Sequence, residues 1–466
     1  MLRRTLMRWT YNRGNWKSAR YHAEKLLNHP KEAVLARSVI VRSYWNEGCY
    51  EKVLQVCNQW PDEPLITFKE RAEDKIRVNK PEKITHRIQR LRNTQPVPQK
   101  TIDWNEKETV QNFSQEDNLV WFRYPDGYVF WEVPEDFDLS VTHENLLKLV
   151  AEVLLYPWVP STRLAFTKTR PTGSRISLSY SAGTDSTAAA LVMPEITLLG
   201  YHRRSFKSLL DHRNANRMLN YLQESQERDV LTISSNHELI RTSYGKEIGF
   251  SSDFACASHL ILLADHLDLG SIGFGMPLDN TYLWKGRKYR QFEATKYYQY
   301  WTQRFHQAGL ELLFPIAAIS EAGALKIVEQ SSWVEHLNSC MRGDGNFGCG
   351  RCWKCFHKNG SLGRSFDIDS TEIQTYLNRR PMPTTTHALW ALKTMNLEEQ
   401  VPDLAHLFEQ DFSWWTQVYP PAFNLLPAPL REQIQSSIMS ILPSMQKPYT
   451  LETIDQFEDG NLMTES

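Results

Sequence analysis

The sequence predicts an α/β protein built on a doubly wound parallel sheet, and three observations predict it. Short apolar runs alternate with helical stretches between Arg175 and Met276. The first run flows into a Ser/Gly turn, Ser181 to Thr187, with an alanine-rich helix behind it. Four cysteines, Cys340, Cys349, Cys352 and Cys355, then crowd into sixteen residues. The 466 residues, 41% hydrophobic and 23% charged, are ordinary globular material with length for about three domains. A formal net charge of -1 excludes a whole-protein field that draws the chain to nucleic acid or anionic lipid, so such binding needs a local patch.

The first element, residues 1–92, reads as helical. Residues 1–30 carry seven Lys/Arg and one acid, Glu24, but no uninterrupted apolar core or small-residue cleavage site of a secretory signal. An Arg-rich transit peptide built on Arg3, Arg4 and Arg8 is the alternative to a plain first helix. Apolar stretches such as Ala257 to Ala264 fall far short of the ~20 residues a spanning helix needs. A cytoplasmic protein without a membrane partner is expected. Gly14-Asn15-Trp16 returns 34 residues later as Gly48-Cys49-Tyr50, and each copy opens a helical stretch ending near Pro30 or Pro61. Ala19, Ala23, Leu26 and Leu27 fit one buried face of the first copy, and Val53, Leu54 and Cys57 one of the second. This period and pattern resemble tetratricopeptide repeats, which implies a docking surface for a protein partner. A generic antiparallel helix bundle is the other reading.

A polar stretch with Pro96 and Pro98 marks a linker. Residues 108–160 then read as a small α+β region. Leu119 to Tyr124 and Tyr128 to Val133 flank Pro125-Asp126-Gly127, a hairpin signal, and Thr142 caps an apolar helix through Leu155. The aromatics of the hairpin fit core positions better than a base-stacking platform. Within 170–360, strands are expected at 176–180, 196–201, 230–234 and 271–275, with ligands at their carboxyl ends. Residues 361–466 read as a helical, proline-punctuated extension without evident chemistry.

The turn carries the first chemical signal. Where a strand runs into a helix, the first helical N–H groups lack internal partners and the dipole favours anions, so small residues let a polyphosphate approach the backbone. Ser181, Ala182, Gly183, Thr184, Asp185, Ser186 and Thr187 supply that backbone, and hydroxyls at Ser181, Ser186 and Thr187 add donors. The turn holds no lysine, so a metal ion or distant cations must neutralise the phosphates. Cys340, Cys349, Cys352 and Cys355 carry the second signal. Four thiolates among Gly343, Gly345, Gly348 and Gly350 suit a closed, structural zinc site, with an iron–sulfur cluster as the alternative.

Ser181 to Thr187 resembles the SGGxDS signature of the PP-loop ATP pyrophosphatase superfamily, with Ala182 where that signature has its first glycine. Turn and cysteine spacing together, about 155 residues apart, resemble the 7-cyano-7-deazaguanine synthases, as do Phe314-Pro315-Ile316 and Lys326-Ile327-Val328. The likeness covers residues 170–360. The family's substrate-side segments are not recognisable around Met276 to Asn280 or Ser251 to Asp253. The resemblance implies a PP-loop, HUP-like sheet with a zinc knuckle, and ATP, Mg2+ and Zn2+ as cofactors. It further implies an enzyme that adenylates a small-molecule carboxylate or amide for attack by a nitrogen or sulfur nucleophile. Asp185 is then the candidate metal ligand or phosphate orienter and Lys326 a second catalytic candidate, while Gly273 and Gly275 leave room for adenine or substrate. Two rivals stand beside this reading. One is a nucleotide-binding module without catalysis; the other is a nucleic-acid-modifying protein using Arg203-Arg204 and Lys285 to Arg290.

Overall fold

The structure, a computed structural model, describes residues 2–60, 63–79, 91–163, 166, 168–206, 212–379 and 382–455. It divides into two units, Met1–Pro96 and Val97–Ser466.

The first unit is helical: α1 (Leu2–Asn12), α2 (Trp16–Glu24), α3 (Ala33–Asn46), α4 (Tyr50–Gln59) and α5 (Glu63–Asn79). The 34-residue period reappears in its backbone. Gly14 and Gly48 both sit at φ 71°, a left-handed conformation that glycine adopts without steric cost. The Asn15 amide bonds back to the Thr10 carbonyl and the Cys49 amide to Tyr44, each at its own chain reversal. Met7, Ala19, Ala23 and Ile40 form one buried cluster, and Val41, Val53, Cys57 and Leu65 the next.

The second unit is organised by one eight-stranded sheet: β1 (Phe113–Glu116), β2 (Leu119–Tyr124), β3 (Gly127–Glu132), β4 (Arg175–Tyr180), β5 (Leu198–Arg204), β6 (Val230–Ser235), β7 (Leu269–Phe274) and β10 (Glu311–Leu313), in the order β1-β2-β3-β6-β5-β4-β7-β10. A separate hairpin supplies β8 (Leu283–Trp284) and β9 (Lys288–Tyr289). The five strands β6-β5-β4-β7-β10 are parallel. From β4 the chain winds outward through β5 to β6, then returns to lay β7 on the other side of β4 and β10 beyond it. The winding therefore reverses between β4 and β7, the place where doubly wound sheets open a crevice at their carboxyl edge.

The hairpin is not a region apart, since β3 pairs antiparallel with β6 through Trp131 and Ser235. Its aromatics are core: Trp121, Phe122 and Trp131 are buried, and Trp131 Nε1 donates to Ser258 Oγ at 3.2 Å. The helix after it, α6 (Glu144–Leu155), is capped by His143, whose Nδ1 accepts from the Asn145 amide, and not by the expected Thr142. The Thr142 amide instead closes the preceding turn by bonding Leu139. Further helices are α7 (Thr184–Val192), α8 (Arg213–Glu224), α9 (Ser258–Leu262), α10 (Lys296–Gln307), α11 (Glu321–Glu329), α12 (Thr385–Thr394) and α13 (Ala428–Met439). The described residues after 361 do not form an appendage. Leu389, Trp415, Phe423 and Ile434 belong to the same continuous core as β4 and α7. No described helix is long and apolar enough to cross a membrane.

Candidate functional site

At the carboxyl end of β4 the chain turns at once into α7. Ala182 sits at φ 55°, the left-handed region, where a side chain costs roughly 1–2 kcal/mol. That is the position where the signature it resembles has glycine. The turn is tied by its own hydroxyls. Ser186 Oγ accepts from the Ser181 amide at 3.2 Å and donates to the Gly183 carbonyl at 3.1 Å. Ser181 is exposed, and Gly183 and Asp185 are half-buried; Ala182, Thr184, Ser186 and Thr187 are buried. The Thr187 hydroxyl turns inward to Tyr180 OH at 3.1 Å, so it is not an outward donor. The Thr184 amide is already bonded to Ser339 Oγ at 3.0 Å.

The small residues behind the turn serve internal packing. A Cβ on Gly275 would lie 2.8 Å from the backbone N and Cα of Ser186, and one on Gly273 would press on Met193 and Leu178. The space beside both glycines is thus filled by the protein's own atoms rather than left for adenine.

Asp185, in the first turn of α7, forms an ion pair with Lys358, whose Nζ also lies 3.6 Å from Glu321 Oε2. Glu321 opens α11, and its amide donates to Asp279 Oδ2 at 2.8 Å. Burial, then the nearby Glu321 charge, pushes Asp279 well above the usual carboxylate range. Burial acts the same way on Glu321, but Lys358 and then His357 hold it well below its ordinary value. Burial raises Asp185 despite the lysine beside it. Burial works against the Lys358 charge too, yet Asp185 and Glu321 hold its ammonium above the ordinary value. Asp185 Oδ1 is buried without a hydrogen-bond partner.

Lys326, the second catalytic candidate that the resemblance implies, pairs with Glu329 at 2.7 Å on an outward part of α11. The cation brought to the turn is Lys358, which the sequence reading missed. Its one signal was its place three residues after the last cysteine of the cluster.

The four cysteines do converge. Cys340–Cys352, Cys352–Cys355 and Cys349–Cys355 Sγ distances are 3.7, 3.6 and 3.9 Å. Tetrahedral geometry with bonds of about 2.3 Å puts sulfurs roughly 3.8 Å apart, so one zinc ion fits between them. A cubane cluster binds each thiolate through a different iron and needs wider spacing. Amides of Arg342 and Cys349 both donate to Cys340 Sγ at 3.3 Å, as befits a thiolate. Gly348 is required here, because its Cβ would stand 2.9 Å from Cys355 Sγ.

Glu321, His357 and His387 form a second buried group with metal-ligand atoms within 4.8 Å of one another. Their hydrogen bonds do not suit a metal. Trp415 Nε1 donates to His387 Nδ1 at 3.4 Å, which leaves Nε2 to donate to the His357 carbonyl at 3.1 Å. Both nitrogens of His387 are therefore engaged, and Lys358 already supplies the positive charge beside Glu321.

A cleft of about 370 Å³ lies next to the turn, lined by Phe250, Ser251, Ser252, Asp253, Met276 and Asn280. Met276 follows Gly275, which packs on Ser186. Cys256, which accepts from Ser179 Oγ at 3.3 Å, ties the Asp253 wall to β4. The two stretches in which no substrate segment was recognisable thus face each other across one cleft. Behind Phe250 lie His202 and His237, with ring centroids 4.1 Å apart, and His259 beyond at 6.3 Å from His202. All three are buried. The basic stretches of the nucleic-acid rival are largely bound internally: Arg204 pairs with Glu238, Lys288 with Asp455, and Arg290 donates to the Thr281 carbonyl at 2.6 Å.

Compared with known proteins, residues 300–450 match a family of unknown function, DUF6395. That third of the chain includes the cysteines, Lys358 and His387 but not the turn. The chain has no match among curated proteins or solved structures.

Proposed function

We propose that Val97–Ser466 is an ATP-dependent adenylating enzyme whose Ser181–Thr187 turn receives the phosphates. The observation that carries this reading is the turn's position. It joins β4 to the N-terminus of α7 where the sheet's winding reverses, beside a cleft of about 370 Å³, a volume that suits a nucleoside-sized ligand. The dipole of α7 favours a phosphate at its N-terminus, although Ser339 and Ser186 already hold the Thr184 and Ser181 amides of the turn. Asp185, with an unpartnered oxygen, is placed to hold magnesium carried by the nucleotide.

The chemistry follows from that placement. An oxygen of the acceptor carboxylate or amide attacks the α-phosphorus, the bond to the β-phosphate bridging oxygen breaks, and pyrophosphate leaves with the electron pair. A nitrogen or sulfur nucleophile then attacks the activated carbon, and AMP departs. The turn and its cations stabilise the charge on departing pyrophosphate, since such transfers depend mainly on positioning and electrostatics. A nucleotide-binding module without turnover is the second reading, favoured by Ala182 standing at φ 55° where the signature it resembles has glycine.

Asp185→Asn tests the enzyme reading. With a panel of carboxylate acceptors, the parent chain is expected to release AMP and pyrophosphate, and the variant to lose at least ~100-fold of that rate while staying folded. Nucleotide binding without release of either product by the parent chain favours the silent module.

A further inference from the structure

We propose that Lys358 is the cation that grips the phosphates and that the four-cysteine knuckle carries it to the turn, making nucleotide binding depend on the knuckle's metal. The inference rests on the reading of the turn as a phosphate site.

A triphosphate brings several negative charges to the start of α7, yet the turn has no lysine or arginine of its own. The cations come from the far side of the knuckle. Lys358 reaches Asp185 from a π-helical turn, Cys355–Asn359, that begins at the last sulfur ligand. Such turns are rare and are frequent at functional sites. Lys354, one residue before that ligand, also places its charge on Asp185. The other arm touches the same place. Ser339, one residue before Cys340, bonds both the amide and the hydroxyl of Thr184, at 3.0 and 2.7 Å. Both arms of the cysteine cluster therefore meet the first turn of α7, one just before the first sulfur and one just after the last.

Those arms keep their positions only while the sulfurs share an ion. Four thiolates within 4.8 Å of one another repel when nothing neutralises them, and glycines at 343, 345, 348 and 350 give the loop little stiffness of its own. Asn359 transmits the geometry, since its side-chain amide donates to Cys355 Sγ at 3.7 Å and to Asn338 Oδ1 at 3.2 Å. A buried ammonium needs a paired charge, and Asp185 and Glu321 pair that of Lys358. When a magnesium-bound triphosphate enters, Asp185 turns to the magnesium and Lys358 to a phosphate oxygen. No proton moves, and neither side chain changes charge.

The test is calorimetric titration of magnesium–ATP into the full chain, with zinc content measured by atomic absorption. Lys358→Met is expected to weaken binding roughly 10- to 100-fold, the loss that goes with one charge-assisted hydrogen bond, with zinc content and far-ultraviolet dichroism unchanged. Lys358→Arg should restore most of the affinity, and Lys326→Met should leave it untouched. Stripping zinc with a chelator should weaken binding as Lys358→Met does, and reloading zinc should recover it. Wild-type affinity in Lys358→Met or in the stripped chain overturns the inference and leaves the turn reading intact. A zinc-loaded parent chain that binds no ATP overturns both. Should Lys358→Met lose its zinc, the arginine variant and the strip-and-reload arm decide.

Discussion

At the scale of single residues, the site turns on charges and imidazoles that fold together from distant positions. His237 and His259 are held at pKa values of about 3 and about 4 by burial and then, for His237, by its charged or chargeable neighbours. His387 is held at about 3 by burial and then by His357. These values lie below the ~6.5 of an unfolded histidine, so the unfolded chain binds more protons and stability rises with pH. The contribution is complete above about pH 6.5 and is lost as pH falls towards 4, at up to ~1.4 kcal/mol per pH unit for each histidine. Urea midpoints from pH 7.5 to 4.5 should show this fall, and His237→Gln should flatten it; a midpoint indifferent to pH in this window would contradict buried neutral rings. The trio was not legible in the sequence because His202, His237 and His259 come from three elements and have no local spacing. Lys358 escaped for a similar reason, since one lysine among several basic residues is distinguished only by what it meets.

At the scale of elements, the parallel strands were legible because they are short apolar runs bounded by turns, and β4 with its turn lies where the pattern placed it. The boundaries that differ have local causes. Strand β5 starts at Leu198 rather than at Ile196, which is 80% exposed, because the Thr197 amide closes a turn on Pro194. Strand β10 has three residues, too few for an alternation to register. Gly275, just after β7, packs closely on the first turn of α7. Gly275→Ala would drive a methyl into the Ser186 backbone, which cannot yield as a flexible side chain would. A loss of about 1–3 kcal/mol is expected, together with weakened nucleotide binding from a displaced first turn of α7. Thermal denaturation and ATP titration check it, and a variant with parent-like values in both would show that the contact is looser than described.

At the scale of the molecule, the chain has two units where the sequence pattern suggested four regions. Composition and punctuation mark linkers, but they cannot reveal that a hairpin joins a sheet edge or that a C-terminal segment fills a shared core. Trp131 pairing with Ser235, and Trp415 donating to His387, are contacts of that kind. Because the second unit holds its own continuous core, a chain starting at Val97 is expected to fold, unfold cooperatively and retain one zinc per molecule. A fragment that is unfolded or free of metal would refute this partition.

Hydrogen exchange read by mass spectrometry shows whether phosphates seat on the turn after β4. With magnesium–ATP added to the zinc-loaded chain, amides of 182–187 and of 354–358 should slow, while those of β1 at the outer edge of the sheet stay as they were. Unaltered exchange at 182–187 under saturating nucleotide, or protection confined to another part of the chain, would mean that the phosphates do not seat on this turn.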